Sequence, residues 1–183
     1  PNRRMLYDRM EQEMRKARRS GTALALMLLD LDHFKEVNDT LGHDKGDVLL
    51  KEASERIRQC VRDTDTVARL GGDEFVIMLS LPDDSTHVER VANQVLQKLE
   101  DAFHLQGEVA YVSASIGITL YPDDATRIED LFKNADQAMY AAKNQGRNRY
   151  SYFTPHMQHA AQLRMQIATD LRGALANEEF TLY

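Results

Sequence analysis

Residues Ala23-Leu24-Ala25-Leu26-Met27-Leu28-Leu29-Asp30-Leu31 form a nearly unbroken apolar run, with Asp30 and Asp32 at its far end. A run of this length and composition reads as a strand buried on both faces, although periodicity alone leaves a buried helix open. A strand hidden on both sides needs a layer of structure above and below it.

The flanking segments can supply those layers. Residues 3–19 carry Leu6, Met10, Met14 and Ala17 on one stripe and stop at Gly21, the pattern of an amphipathic helix. Leu49, Ala53, Ile57 and Val61 predict a second helix over 46–61. Val88, Val91, Val95, Leu99 and Phe103 predict a third after the turn Pro82-Asp83-Asp84. Leu131, Phe132, Ala135 and Met139 mark a fourth over 128–142. Thr66–Leu70 and Phe75–Leu81 are β-rich runs joined by Gly71-Gly72-Asp73-Glu74, a hairpin with a four-residue loop. Val109–Leu120 and Asn148–Phe153 read as strands. Residues 156–176 read as a helix bearing Leu163, Ile167, Leu171 and Leu175, with Glu179–Tyr183 opening another strand. Hairpin-joined strands mixed with helices predict an α+β fold rather than a doubly wound parallel sheet.

Charge narrows the function. The 183 residues carry a net −6, yet residues 1–20 hold seven basic side chains against three acidic ones. The remaining body is acidic, which argues against a general nucleic-acid binder. A nucleotide substrate stays open, but a polyphosphate beside carboxylates needs metal ions. A single cysteine, Cys60, excludes an internal disulfide framework and fits a reducing compartment. No apolar run approaches the ~18–20 residues of a membrane span, and no membrane contact is expected of this chain.

The residues most suggestive of chemistry are acids. Asp30 ends the buried run, and Asp73 and Glu74 sit at the hairpin tip. If hairpin and strand are neighbours, these carboxylates converge and repel unless a cation holds them. Oxygen ligands suit Mg²⁺, which completes its shell with water and phosphate. Gly71 and Gly72 let backbone approach a phosphate closely. A metal-assisted nucleotidyl-transfer site follows from one reading; a solvated turn follows from the other, since Gly-Gly-Asp-Glu is good turn chemistry in any case.

The surrounding residues separate the two. Arg69-Leu70-Gly71-Gly72-Asp73-Glu74-Phe75 is accompanied by Asp30-Leu31-Asp32-His33-Phe34-Lys35, by Asn38-Asp39, Gly42-His43, Gly46-Asp47 and Leu49, by Ser115-Ile116-Gly117-Ile118, and by Asp136, Met139-Tyr140, Ala142-Lys143 and Gly146-Arg147-Asn148. Together, over roughly residues 1–153, these resemble the GGDEF family of diguanylate cyclases. The resemblance implies a central, mostly antiparallel sheet like the palm of nucleotidyl cyclases and polymerases. It implies condensation of two GTP to cyclic di-GMP and two pyrophosphates, each 3′-hydroxyl attacking the other α-phosphate.

By the same resemblance Asp30, the Leu31 carbonyl, Asp73 and Glu74 hold Mg²⁺ (or Mn²⁺), and Asp73 and Glu74 are the catalytic pair. Phe34, Lys35, Gly71 and Gly72 line the phosphates, with His43 near the nucleotide. Asn38 and Asp47 read guanine: a carboxylate accepts from N1–H and the 2-amino group, donors that adenine lacks there. Lys143 and Arg147, taken as one helical turn apart, clamp the triphosphate. Asp32 is assigned a supporting role. Arg62-Asp63-Thr64-Asp65 has the spacing of the family's inhibitory product site, with Arg62 and Asp65 binding cyclic di-GMP.

Catalysis is expected to need a homodimer, since each copy holds half of the reacting pair. The family segment Asp-x-Leu-Thr-Gly-Leu does not precede Pro1, so the chain is read as a piece cut just inside its domain. Residues 1–153 are expected to form the GGDEF domain, truncated at its N-terminal edge; 154–183 resemble the linker helix and first strand of an EAL domain, the phosphodiesterase of cyclic di-GMP. An upstream sensory module and a cytoplasmic location are expected of the full-length protein, with a membrane tether elsewhere left open. The competing expectation is a catalytically silent domain that binds GTP or cyclic di-GMP and regulates the attached EAL domain.

Overall fold

The computed structural model describes residues 3–81, 86–161, 163 and 166–167. The elements run α1 (Arg3–Ser20), β1 (Ala23–Asp32), α2 (Phe34–Leu41), α3 (His43–Gln59), β2 (Thr66–Gly71), β3 (Glu74–Leu81), α4 (Thr86–Glu100), β4 (Phe103–Leu105), β5 (Glu108–Ala110), β6 (Ser113–Tyr121), α5 (Ile128–Asn144) and β7 (Arg149–Tyr152). Five strands form one sheet in the order β2-β3-β1-β6-β7, and β4 and β5 pair separately. Within the larger sheet only β6 and β7 run parallel; β1 is antiparallel to both neighbours.

The apolar run is the middle strand, and its alternation builds two cores. Ala25, Met27, Leu29 and Leu31 join residues of α3 and α4 on one face. Leu24, Leu26 and Leu28 join Leu6, Met10 and Met14 of α1 and Leu131, Ala135 and Met139 of α5 on the other. Side chains two apart share a face, so one strand feeds both layers. This is an α+β fold with a central, mostly antiparallel sheet, as expected.

On the α5 side, Gly117 of β6 lets strand and helix touch. A β-carbon there would lie 1.9 Å from the Ala135 carbonyl oxygen and 2.3 Å from the Met139 nitrogen. On the opposite face, Arg56 of α3 donates to the carbonyls of Lys98, Asp101 and Ala102 at 2.6–2.9 Å, capping the end of α4. Its guanidinium also stacks 3.8 Å above the Phe103 ring.

Some boundaries differ from expectation. The span 109–120 is two strands, because Tyr111, 73% exposed, lies on the passage from the small hairpin to the main sheet. Phe103 belongs to β4 rather than to the preceding helix. The third helix begins at His43, and the short α2 before it carries no long apolar stripe to announce it. The turn at 82–84 and the segment 179–183 lie outside the described residues.

By contacts the chain divides into two units, Pro1–Phe153 and Thr154–Tyr183. In the second, residues 155–161 are helical; Leu163 and Ile167 are exposed, while Leu171 and Leu175 fall outside the described residues. No helix among the described residues is long and apolar enough to cross a membrane.

Candidate active site

The acids singled out in the sequence meet at one end of β1. Register sets Asp30 opposite Glu74 of β3 and Ser115 of β6. The Leu31 N–H donates to the Asp73 carbonyl at 3.3 Å, lacing the hairpin tip to the end of the central strand. Arg69 adds a second tie, its Nε donating to the Gly72 carbonyl at 2.8 Å. The loop is tighter than the four residues expected. Gly71 already pairs with Glu74, and the register shifts between Arg69 and Gly71. Irregularities of this kind re-aim side chains next to functional sites.

Asp30 continues the alternation of Leu24, Leu26 and Leu28, so it lies on the α5 face of the sheet. There the Lys143 Nζ sits 2.7 Å from its Oδ1. Burial pushes the Asp30 carboxyl above the ordinary carboxylate range; Lys143 pulls against that rise, while the charges of Asp73 and Asp32 add to it. Glu74 is pushed up by burial first, and then by Asp30, Asp73 and Asp136. Acids crowded in this way have an unmet demand for positive charge, which one lysine meets only in part.

Asp32 is differently placed. Its carboxylate is buried and accepts from Ser113 Oγ at 2.7 Å, Ser115 Oγ at 2.8 Å and the Asn148 N–H at 3.3 Å. It joins β1, β6 and the entry to β7.

Phe34 and Lys35 open α2, with Phe34 packed in the core and Lys35 exposed. Asn38 is half-buried against Gly46: a β-carbon on Gly46 would meet Asn38 Oδ1 at 1.8 Å. The next residue, Asp47, is exposed on the rim of a groove of about 560 Å³ that also takes in Leu50, Ser54, Arg58 and Arg69. His43, Gly71 and Gly72 are exposed.

One placement departs from expectation. Lys143 and Arg147 are not on one helix face, because α5 ends at Asn144. After Gly146 the Arg147 N–H folds back to the Ala142 carbonyl at 3.1 Å, and Arg147 itself takes a left-handed φ of 59°. This is a Schellman-type stop, signalled by Gly146. Arg147 instead lies on the loop, its Nε 4.0 Å from Asp32 Oδ1. Arg62 and Asp65, for their part, do not face solvent together. Arg62 is exposed, but Asp65 Oδ2 accepts from the Arg62 backbone N–H at 2.9 Å and lies 3.9 Å from His87 Nε2 of α4, its side chain 1% exposed.

The sequence motifs include Arg69, Gly46 and Asp136, but no role was read for them there. Asp136 was within reach, since it precedes Lys143 by two helical turns and so shares its face.

The residues present fit a hard divalent cation. Asp30 and Glu74 are oxygen donors held opposite each other, and an ammonium already stands against one of them. Among the described residues no three His, Cys, Asp or Glu side chains enclose an ion by themselves.

The family description "Diguanylate cyclase, GGDEF domain" matches residues 1–149. The chain belongs to the GGDEF family. Over 183 residues it is 43% identical to the bifunctional diguanylate cyclase/cyclic di-GMP phosphodiesterase MucR of Pseudomonas aeruginosa, covering all of this chain and 27% of that protein. The GGDEF-only structure of TpbB (YfiN) from Pseudomonas aeruginosa superposes with a TM-score of 0.85 at 36% identity, covering 88% of this chain and 95% of that one. An EAL/GGDEF domain protein from M. capsulatus superposes with a TM-score of 0.73 at 44% identity, covering 85% of this chain and all of that one. The chain thus spans roughly a quarter of the length of the curated relatives it matches. Its sheet is the palm-like sheet of GGDEF domains.

Proposed function

We propose that this domain is a diguanylate cyclase, joining two GTP into cyclic di-GMP with release of two pyrophosphates. The observation that carries the reading is the register of Asp30 opposite Glu74, with Asp73 tied to Leu31 by the backbone. In each half-reaction a 3′-oxygen–phosphorus bond forms, the bond from the α-phosphorus to the bridging oxygen breaks, and pyrophosphate leaves. Mg²⁺, when bound, supplies charge neutralisation and a more acidic 3′-hydroxyl.

Asp30, Asp73, Glu74 and the Leu31 carbonyl hold the ion. Glu74 takes the proton that the hydroxyl loses. Lys35, Lys143 and Arg147 bind the phosphates, and Asn38 and Asp47 hold the guanine. A second copy of the domain presents the other GTP.

The test is GTP turnover with Mg²⁺ at high protein concentration after stripping bound product, read as cyclic di-GMP and pyrophosphate. Asp30→Ala and Asp73→Ala are expected to abolish it; activity retained in both sinks the assignment. Product binding at Arg62 and Asp65 requires the Asp65 carboxylate to leave its inward position. Unchanged product inhibition in Arg62→Ala refutes that site.

The second reading, a silent GTP- or cyclic di-GMP-binding regulator of an EAL domain, draws on the match to MucR, whose name carries both activities. GTP binding without turnover, in a sample shown to dimerise, favours it.

A further inference from the structure

We propose that Lys143 is the internal counter-cation of the acidic site, and that it exchanges places with a divalent metal when a nucleoside triphosphate draws its ammonium away. The inference rests on Asp30 being a metal ligand, as argued above.

Lys143 Nζ occupies Asp30 Oδ1 at 2.7 Å, with both side chains largely shielded from solvent. Around them stand Asp73, Glu74 and Asp136, all within electrostatic reach of the Asp30–Glu74 pair. An ammonium in contact with Asp30 and a dication on the same carboxylate repel each other across a few ångströms of poorly screened space. Metal entering alone therefore competes with the Lys143–Asp30 ion pair.

A triphosphate changes that balance. Lysine is a compact charge on a flexible four-carbon stem with three donors, able to swing from a carboxylate to a phosphate without moving its backbone. Lys143 lies in the last turn of α5, and Arg147, a second exposed cation, follows on the adjoining loop. Anionic phosphate in this corner gives Lys143 a new partner and frees Asp30. The metal and the nucleotide then bind with positive coupling, and by linkage each raises the affinity of the other by the same factor.

The experiment measures Mn²⁺ binding to the full 183-residue chain by calorimetry, with and without 3′-deoxyguanosine triphosphate, which has no attacking hydroxyl. The parent chain is expected to bind Mn²⁺ weakly alone and far better with the nucleotide. Lys143→Met is expected to bind Mn²⁺ alone about tenfold more tightly, within the usual range of such couplings, and to lose most of the nucleotide effect. Lys143→Arg, which keeps the charge, is expected to stay weak. In the Lys143→Met background, Asp30→Asn is expected to remove the gain.

Equal or weaker metal binding in Lys143→Met overturns the exchange while leaving the metal site standing. A gain that survives Asp30→Asn overturns it as well. Failure of parent and Lys143→Met to bind Mn²⁺, with or without nucleotide, overturns the metal assignment and the exchange together. The readout is a binding constant on protein that cannot turn over, so loss of cyclase activity has no bearing on it.

Discussion

Gly117→Ala should strain this fold well beyond what one methyl group suggests, because the added carbon meets helix backbone. It adds one methyl group at the seam between β6 and α5. The new carbon would meet backbone: the Ala135 carbonyl oxygen at 1.9 Å, the Met139 nitrogen at 2.3 Å and, beyond them, Met139 Cβ at 2.9 Å. Such atoms do not approach within about 3 Å, so α5 must retreat by about 1 Å in an interior with no slack. Overpacking of this kind costs about 1–3 kcal/mol and occasionally more. With a helix backbone rather than a pliable side chain in the way, about 3 kcal/mol is expected. At roughly 2–4 °C per kcal/mol for a domain of this size, the melting temperature should fall by about 6–12 °C.

The effect should also reach the site, because Lys143 stands one turn beyond Met139 on the displaced helix. The assays are a reversible thermal melt and a GTP saturation curve on the surviving folded protein. A melting temperature within about 2 °C of the parent would refute the packing reasoning, whatever the kinetics.

Four further outcomes follow from the geometry. Arg56→Ala removes the donors that cap α4 and the cation stacked on Phe103, and should cost about 2 kcal/mol in urea denaturation. Gly46→Ala displaces the Asn38 amide rather than backbone, so the KM for GTP should rise about tenfold, a loss of about 1.4 kcal/mol, with little change in melting temperature. In chelator, Glu74→Gln should be more stable than the parent at neutral pH. The raised carboxyl of Glu74 means that the folded state holds its proton more tightly than the unfolded state, so the parent loses stability as pH rises from the ordinary glutamate range through the raised value. The advantage of the variant should fade as pH falls back through that window, and a pH-independent difference refutes the cause. Asp32→Ala strands two serine hydroxyls and a backbone N–H and should destabilise by about 2–3 kcal/mol, which chemical denaturation reads directly.

The parts legible in the sequence were those with a local cause. The double burial of Ala23–Leu31 predicts a central strand, and its alternation indeed feeds two cores. The glycine-bearing link between Leu70 and Phe75 predicts the hairpin, and the convergence of Asp30 with Glu74 follows once that hairpin pairs with β1. Other features have no local signature. Helix α2 is eight residues containing Asn38, Asp39 and Thr40, so its propensity is poor and its packing on α3 decides it. Asp65 is held by the Arg62 N–H three positions back, but the His87 ring it approaches lies 22 positions along the chain. The partners of Asp32 lie 81, 83 and 116 positions along the chain. Arg147 was misplaced because a helical spacing was carried through Gly146, a residue that ends helices.

The strand β7 has a mechanical consequence. It is four residues long, at the edge of the sheet, and pairs with β6 alone. The chain departs from this sheet just beyond it, at Phe153, whose N–H is the last tie to Ile118. Any load on the following segment is therefore borne first by the hydrogen bonds that join β7 to β6. Immediately upstream of those bonds is Arg147, with Asn148 anchored to Asp32. Tension applied from residue 154 onward would be felt first at β7, whose Tyr150 and Tyr152 pack against one core, and then at the loop that carries Arg147 beside Asp32.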